Sequence, residues 1–444
     1  MVNLKEVKKV HFIGIASPFS SFCAEKLIRM GKIVTASELN QDSFNARYWV
    51  KKGILFKGGH DPRYIKSDLD LVVFPNGPVP GNPECERTKQ LGLPIIDLPE
   101  LVGMFSSQMK TVAVAGTHGK STTTALISWI LKEILGEVSF VLGGPDDFLL
   151  GTNQNWNFTD KNDYLVLEAC EYKRQFIKRA PKPYVSVVTH IDIDHTDFFK
   201  SQKEYNQAFV DFLAPTTNFI VMDNKGINEK KVRLDIENKN IIDVNKYRKL
   251  VKFRNEHLIG EFNFENVLRA YATAINLGFD GNLIKQAVNS FPGISCRFEY
   301  VGKTTKGALV YKDYAHNPAK IKACLEGAHK VHPDKRIILV FQPHSVERSY
   351  SFRKEFAQAV MGADELLVSN IFSPVRESAD DKALITDQEF VQILQKANPG
   401  KKVIYIGEVL QSADLLNNSY GSEDVLVLAS AGDLYKVIPR IVQK

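Results

Sequence analysis

Residues 111–126 read TVAVAGTHGKSTTTAL, and the fold of the surrounding segment follows from this stretch. An apolar, strand-like run leads into Gly116 and Gly119, and a helical pattern follows from Lys120 onward. Glycines let backbone N–H groups close around an anion, and a helix N-terminus adds the positive end of its dipole. The order strand, glycine turn, Lys-Ser and helix therefore predicts a phosphate-binding loop, although its two glycines are closer together than in the usual pattern.

The chemistry of such a loop assigns roles to its polar residues. Lys120 would reach the β- and γ-phosphates of ATP, and the Ser121 hydroxyl would bind Mg²⁺. The other residues predicted to bind ATP in this loop are Gly116, Thr117, His118, Gly119 and Thr122.

The composition is that of a globular protein. The chain has 444 residues, 44% hydrophobic and 24% charged, and its length suggests about three domains of ~150 residues. The net charge of +6 is spread along the chain, and the densest basic stretch, 225–252, also contains acidic residues. We therefore expect a solvated face there and no nucleic-acid partner.

Cysteine usage and the N-terminus indicate a cytoplasmic protein. The five cysteines are scattered without a C-x-x-C pair, which fits a reducing compartment and gives no zinc site. The apolar run at 11–24 could mimic a signal peptide, but Pro18 and its serines interrupt it, and it predicts a first strand and turn. No apolar stretch approaches the ~20 residues that span a membrane, so we expect no membrane partner.

Strand-like and helical stretches alternate along the chain in three segments. The first runs from residue 9 to about 105, the second opens with KTVAVAG and continues to about 296, and the third opens near Phe298. This alternation predicts an α/β fold with parallel sheets wrapped by helices.

The loop GTHGKSTTT resembles that of the Mur ligases and their folylpolyglutamate and cyanophycin synthetase relatives, and further motifs extend the resemblance along the whole chain. In these enzymes ATP phosphorylates a carboxylate, and an amine attacks the acyl phosphate to form an amide. The resemblance implies a three-domain architecture. It has a Rossmann-like UDP-sugar domain over 1–106, a central P-loop ATP-binding domain over 107–296, and a Rossmann-like domain over 297–444 that binds the amino acid and closes.

Two central motifs supply the metal-binding residues that the resemblance implies. EACEY at 168–172 is similar to the family's E-A-D-E segment, with Cys170 where aspartate often stands, and Glu168 corresponds to a Mg²⁺ ligand. A structural carboxylate facing a lysine is the alternative for Glu168, since a buried strand-end carboxylate needs a cation partner. THIDIDH resembles the family's strand followed by an Asp-His pair, and His195 corresponds to the histidine that serves a second metal ion.

Further motifs correspond to nucleotide-binding residues. GEFNFEN is similar to the G-x-H-N-x-x-N motif, with Phe262 in place of the common histidine. Asn266 is expected at the adenine, while a helix N-cap is the alternative role for Asn263.

Two motifs of the third segment add to the nucleotide site. CRFE resembles R-R-F-E and keeps Arg297, whose guanidinium would reach the γ-phosphate and stabilise charge during transfer. DYAHNP matches D-Y-A-H-x-P, so Asp313 should hold the ribose hydroxyls and His316 should lie near the nucleotide. The predicted catalytic residues are Lys120, Glu168, His195 and Arg297.

Within the family, VHFIGI, VFQPHSVERS and VLASAGDLYKVI resemble the branch that adds L-alanine to UDP-N-acetylmuramate. His344 and Arg348 would hold the amino acid's carboxylate, although Ser345 stands where that branch usually has arginine. The predicted partners are therefore ATP, UDP-N-acetylmuramate and L-alanine, bound by a monomer or weak homodimer.

The N-terminal segment departs most from the family. GIASPFS keeps only Gly14 of the glycine-rich loop, so we expect a hydroxyl of Ser17, Ser20 or Ser21 to donate to the diphosphate. Ser17 is our candidate, and His60 is a second acceptor-binding residue. We expect UDP-N-acetylmuramate to bind, but more weakly than to a glycine-rich loop.

Several alternatives stay open at this point. Tyr172 favours the recycling ligase that attaches a tripeptide to UDP-N-acetylmuramate. The altered N-terminal loop GIASPFS is consistent with a different acceptor. A non-enzymatic scaffold would not need the intact catalytic set together with Asp313. A dehydrogenase is disfavoured, because G-x-G-x-x-G is missing after the first strand.

Overall fold

The computed structural model describes residues 2–56, 58–75, 81–144, 148–149, 152, 154–195, 198–224, 226–236, 238–255, 257–258, 260–373, 377 and 379–443. The chain divides into two compact units. One comprises Met1–Asn255 and Asn263–Pro292, and the other comprises Glu256–Phe262 and Gly293–Lys444.

The first sheet of the larger unit is parallel in its described strands and has the order β2-β1-β3-β4. Its strands are β1 (Lys9–Ile13), β2 (Ile33–Ser37), β3 (Leu71–Phe74) and β4 (Ile95–Asp97). Its helices are α1 (Pro18–Arg29), α2 (Phe44–Lys51), α3 (Pro83–Gln90) and α4 (Leu98–Ser106). Parallel pairing gathers the carboxyl ends of the strands at one edge, so the loop after β1 lies beside the end of β2.

The second sheet has the order β11-β10-β9-β5-β8-β6-β7, with β7 antiparallel to β6. Its strands are β5 (Lys110–Ala115), β6 (Ser139–Val141), β7 (Trp156–Asn157), β8 (Tyr164–Glu168), β9 (Val185–Val188), β10 (Phe219–Met222) and β11 (Ile241–Asp243). The helices of this part are α5 (Lys120–Leu135), α6 (Gln175–Arg179), α7 (Gln202–Leu213), α8 (Ile227–Asp235), α9 (Glu261–Asn276) and α10 (Gly281–Asn289). Because β5 pairs with both β8 and β9, the loops after these three strands meet.

The first two sheets share one hydrophobic core, which explains why they form a single unit. Buried side chains from both sheets belong to the same cluster, including Phe22, Trp49, Trp156 and Phe176. Trp49 and Trp156 stack with ring centroids 5.9 Å apart across this junction. Burial of such large apolar surfaces is the main favourable term in folding.

The sheet of the second unit has the order β12-β13-β17-β14-β15-β16, and β12 is antiparallel to β13. Its strands are β12 (Glu299–Lys303), β13 (Leu309–Asp313), β14 (Arg336–Phe341), β15 (Glu365–Ser369), β16 (Lys402–Gly407) and β17 (Asp424–Ala429). Its helices are α11 (Pro318–Val331), α12 (Val346–Ser351), α13 (Arg353–Ala359), α14 (Ala379–Lys382), α15 (Asp387–Ala397), α16 (Ala413–Ser419) and α17 (Ile438–Ile441).

The α/β fold with mainly parallel sheets is confirmed. The antiparallel edge strands β7 and β12 were not expected, because each is short and carries no apolar run of its own. The domain boundaries after residues 106 and 296 stay predictions. Among the described residues, no helix combines the length and apolar character needed to cross a membrane.

Candidate active site

The loop between β5 and α5 depends on two glycines. Gly119 has φ 84° and precedes α5 without a side-chain cap, a left-handed conformation that glycine adopts at little cost. At Gly116, an added Cβ would lie 2.2 Å from Thr189 Oγ1 and 2.8 Å from the His190 backbone. The close approach of the segment directly after β9 therefore requires glycine at position 116.

Lys120 forms a buried ion pair beside this loop. Its Nζ lies 3.1 Å from Glu171 Oε2 and donates a 2.5 Å hydrogen bond to the Gly116 carbonyl. Glu171 is fully buried. Burial opposes charge on Lys120, but the nearby carboxylates of Glu171 and Glu168 outweigh it and raise the lysine pKa. Lys120 is therefore held as a cation at the start of α5.

Glu168, at the end of β8, is buried and shared between two elements. Its Oε1 accepts a 3.2 Å hydrogen bond from Ser121 Oγ, and its Oε2 accepts a 2.7 Å bond from the Gly143 backbone. A Cβ on residue 143 would lie 2.8 Å from the carboxylate, so glycine lets this carboxylate fit. A carboxylate and a hydroxyl side by side are the oxygen donors that Mg²⁺ prefers, and the residues fit such an ion.

His195 lies on the other side of Glu171. Its Nε2 is 3.7 Å from Glu171 Oε1, and its ring centroid is 4.7 Å from that of Tyr172. The backbone of His195 is left-handed, with φ 54°. Ligand atoms of Glu171, Asp194 and His195 all lie within 4.8 Å of one another, a donor set that fits a second cation.

Thr117 ties the phosphate loop to the segment after β9. Its Oγ1 donates to the Asp192 carbonyl at 2.6 Å and accepts from the Asp192 backbone at 3.0 Å, and its N–H donates to the His190 carbonyl at 2.8 Å. The hydroxyl of Tyr205 lies 3.0 Å from the same Oγ1 and donates to Glu171 at 3.3 Å. The side chains that surround Lys120 and His195 are thus fixed by one network.

Asn266 lies in α9 and contacts α5. It is 2% exposed, and its Oδ1 accepts a 3.2 Å hydrogen bond from Thr123 Oγ1. Because α9 begins at Glu261, Asn263 lies inside the helix and is not its N-cap. Of the remaining loop residues, His118 is half-buried and Thr122 is buried.

In the second unit, the end of β13 carries Asp313 and Arg297 lies close by. Asp313 Oδ2 accepts a 2.8 Å hydrogen bond from the Phe298 backbone, and loss of water around the carboxyl raises its pKa. The Arg297 guanidinium lies 5.1 Å from the Tyr314 ring centroid. His316 Nδ1 lies 2.7 Å from the Tyr314 carbonyl, and burial lowers the pKa of His316 well below 6.5.

The residues predicted to hold the amino acid lie at the same end of this sheet. The His344 ring centroid is 6.1 Å from that of His316, and the ring stacks on Phe372 at 5.3 Å. Ser345 has φ 69° and caps α12, because its Oγ accepts a 3.1 Å hydrogen bond from the Arg348 backbone. The cation of Arg348 contributes to the lowered pKa of His316, which places the two groups near each other.

In the first sheet, Ser17 caps α1. Its Oγ accepts from the Ser20 backbone at 3.0 Å and donates to Ser20 Oγ at 2.9 Å, so the hydroxyl is engaged within the helix start. His60 Nδ1 lies 2.8 Å from Ser37 Oγ, which donates a 2.6 Å hydrogen bond to the buried Glu84. Burial opposes charge on Glu84, but hydrogen bonds from His11, His60 and Ser37 lower its pKa to about 2.

Family models match most of the chain in the order of its sheets. Residues 9–110 match the Mur ligase family catalytic domain, 114–274 the Mur ligase middle domain, and 296–432 the Mur ligase glutamate ligase domain. A UDP-N-acetylmuramate–L-alanine ligase of Caldanaerobacter subterraneus subsp. tengcongensis is 32% identical, covering 100% of this chain and 99% of the relative. One from Clostridium kluyveri is 33% identical, covering 97% of each.

The chain belongs to the Mur ligase family. Its members are ATP-dependent ligases, so this protein is an enzyme. Two solved structures share its three-domain fold. UDP-N-acetylmuramate-alanine ligase from Thermotoga maritima has a TM-score of 0.77, 22% identity and 97% coverage of each chain. A murein peptide ligase from Psychrobacter arcticus has a TM-score of 0.66, 22% identity and 98% coverage of each chain.

The predicted site residues of this Mur ligase fall into groups within each unit. The larger unit brings together Lys120, Ser121, Glu168 and His195, whereas Ser17 and His60 lie at the edge of the first sheet. The second unit brings together His316, His344 and Arg348 near the end of the strand that carries Asp313.

Several residues of the site were not predicted from the sequence. Glu171 stands in the quoted EACEY motif, yet it received no role, although it contacts both Lys120 and His195. Its place three residues after the end of a buried strand, β8, was the signal that could have found it. Tyr205 lies on a helix distant in sequence, α7, and no motif marks it.

Proposed function

We propose that this Mur ligase joins L-alanine to UDP-N-acetylmuramate at the expense of ATP, through an acyl phosphate, in the synthesis of peptidoglycan precursors. The observation that carries the chemistry is the buried Lys120 cation, paired with Glu171 beside the Ser121–Glu168 hydrogen bond. The relatives from Caldanaerobacter and Clostridium support alanine over the tripeptide alternative, because both are L-alanine ligases and are 32% and 33% identical over 100% and 97% of this chain. Such chemistry belongs in the cytoplasm.

The proposed roles in the larger unit follow from charge. The loop residues Gly116 to Thr122 hold the phosphates, with Lys120 as the fixed cation. Mg²⁺ would be held by Ser121 and Glu168, and His195 would serve a second ion. The bound Mg²⁺ would neutralise charge on the transferring phosphoryl group. Asn266 is proposed to contact the adenine.

The proposed roles in the second unit concern the nucleotide and the amino acid. Arg297 stabilises charge on the phosphoryl group, Asp313 holds the ribose hydroxyls, and His316 lies near the nucleotide. A guanidinium binds a carboxylate through two parallel hydrogen bonds, which suits Arg348 to the alanine carboxylate. His344, whose ring lies 6.1 Å from that of His316, is proposed to bind the same carboxylate. Ser17 and His60 are proposed to contact the UDP-sugar.

A phosphate-release assay tests this function. ATP-dependent phosphate release should require both UDP-N-acetylmuramate and an amino acid, with L-alanine giving a higher kcat/KM than serine, glycine or the tripeptide. UDP-N-acetylglucosamine is the matched control acceptor, because it carries the same UDP group without the lactyl carboxylate. Release that is as fast with the tripeptide as with alanine, or that ignores the acceptor, would overturn the proposal.

A further inference from the structure

A buried arginine between the first two sheets has no carboxylate partner among the described residues. Arg179 ends α6 and is 8% exposed, and its Nη2 donates a 2.7 Å hydrogen bond to Gln175 Oε1. Its Nε is buried and has no hydrogen-bond partner within the described structure. A buried guanidinium without an anion is costly, since desolvation of the charge is not offset. Such a cation indicates a missing anionic partner.

The position of this cation is defined by α1. The Arg179 guanidinium carbon lies 4.0 Å from the ring centroid of Phe19, the second residue of α1. The positive end of the α1 dipole lies at the same turn. Glu168, the last residue of β8, is among the groups whose charge acts on Arg179. The guanidinium therefore lies against the start of α1, within reach of the charge of the strand end that carries the proposed metal ligand.

The loop after β1 has few backbone donors to offer an anion. The Ala16 N–H donates to Glu38 Oε2 at 2.9 Å, and the Ser20 N–H donates to Ser17 Oγ. Pro18 has no N–H at all. Asn45 Nδ2 also donates a 2.9 Å hydrogen bond to the Ala16 carbonyl, so the loop is fixed in this arrangement. An anion bound at this turn needs positive charge from outside the loop.

We propose that Arg179 and the first turn of α1 bind an oxyanion of the acceptor substrate, and that this arginine compensates for the loop's missing donors. The proposal rests on the proposed function, because the acceptor is taken to be UDP-N-acetylmuramate. That molecule carries oxyanions of two kinds, the diphosphate and the lactyl carboxylate. Both accept charge-assisted hydrogen bonds from a guanidinium, so the chemistry of recognition is shared.

Steady-state kinetics of the full chain test the proposal. Arg179→Gln should raise the KM for UDP-N-acetylmuramate by about tenfold to a hundredfold, the size of a lost charge-assisted hydrogen bond, with the KM for ATP unchanged. Arg179→Lys should give a smaller rise, because it keeps the charge but loses the planar fork. Lys178→Gln is the matched control, since its partially exposed ammonium pairs with Asp97 and Glu100.

Inhibition by UDP-N-acetylglucosamine identifies which oxyanion is bound. If Arg179 contacts the diphosphate, Arg179→Gln weakens this inhibitor by the same factor as it raises the substrate KM. If Arg179 contacts the carboxylate, the inhibitor, which lacks that group, binds equally well to parent and variant. Both results support an acceptor oxyanion at Arg179.

Other outcomes overturn the proposal. A lower melting temperature with an unchanged acceptor KM in Arg179→Gln would mean that the arginine only packs against Phe19. If that variant does not fold, Arg179→Lys decides, and a parental acceptor KM in this variant refutes the site. Failure of the parent itself to release phosphate with UDP-N-acetylmuramate and alanine would instead refute the proposed function.

Discussion

The ammonium nitrogen of Lys120 lies 3.1 Å from a carboxylate oxygen of Glu171, which is fully buried. This pair holds the lysine in place at the start of α5, with its charge aimed along the loop that ends at Gly119. The same carboxylate lies 3.7 Å from His195 Nε2, so the predicted phosphate-binding and metal-binding residues meet at one buried acid.

Lys120→Ala should reduce turnover by at least about a hundredfold to a thousandfold, the loss typical of one electrostatic donor in a transition state. It should also lower the free energy of unfolding by about 3 kcal/mol or more, because Glu171 is left as an unpaired buried charge. Phosphate-release kinetics and urea unfolding measure the two effects. The double variant Lys120→Ala/Glu171→Gln should regain stability without regaining turnover. Near-normal turnover in folded Lys120→Ala would refute the phosphate-loop role.

Glu168→Gln and His195→Ala should each raise the Mg²⁺ concentration that gives half-maximal activity. The amide keeps a hydrogen-bond acceptor for Ser121 but loses the negative charge, and alanine removes the imidazole beside Glu171. Activity titrated with Mg²⁺ measures this, and the exposed Glu100→Gln serves as the control. Parental titration curves for both variants would mean that Glu168 and His195 are structural.

Thr117→Val should reduce kcat, because it removes the hydroxyl that bonds both backbone groups of Asp192. Thr117→Ser keeps that hydroxyl and is the matched control, with close to parental activity expected. Valine and threonine have nearly the same shape, so the comparison isolates the hydrogen bonds. The decrease in kcat should be roughly tenfold to a hundredfold, because buried polar groups that lose their partner cost about 1–3 kcal/mol. Equal activity of both variants would contradict a role for this link.

The His190–Glu229 pair should make stability depend on pH. His190 Nδ1 lies 2.7 Å from Glu229 Oε1, which also accepts a 2.7 Å hydrogen bond from the Ile191 backbone. The hydrogen bond to Glu229 raises the pKa of His190 above 6.5, with Asp192 adding to the rise and burial and Arg269 opposing it. Burial opposes charge on Glu229, but its hydrogen bonds with His190 and Ile191 lower its pKa below 4.5.

The directions of these two pKa shifts determine how stability changes with pH. A raised histidine pKa contributes stability that is complete below 6.5 and is lost as pH rises through the folded-state value. A lowered glutamate pKa contributes stability that is present above 4.5 and is lost as pH falls through its folded-state value. The melting temperature of the parent should therefore exceed that of His190→Asn most between pH 4.5 and 6.5. A difference that stays constant up to pH 9 would contradict the ion pair.

The sequence by itself determined the α/β fold, the family and most of the chemical groups of the site. Local patterns were sufficient for the fold, because the periodicity of a strand or a helix can be recognised in consecutive residues. The phosphate loop of Gly116 to Ser121 is likewise continuous, and the close approach of Thr189, just after β9, requires glycine at position 116. Glu168, the last residue of β8, and His195 were found because the motifs around them resemble those of the family.

Only the tertiary structure showed which of these groups touch. Glu171 is 51 residues from Lys120 in the chain, and Arg179 is more than 150 residues from Phe19, so no local pattern could pair them. Parallel strands bring their carboxyl ends to one edge whatever their order in sequence, and the strand order is set by long-range packing. The engagement of Ser17 within α1 is local, by contrast, because its partner Ser20 lies three residues further along the chain. The partner of a side chain depends on which residues surround it in the folded chain, and the sequence alone does not show these residues.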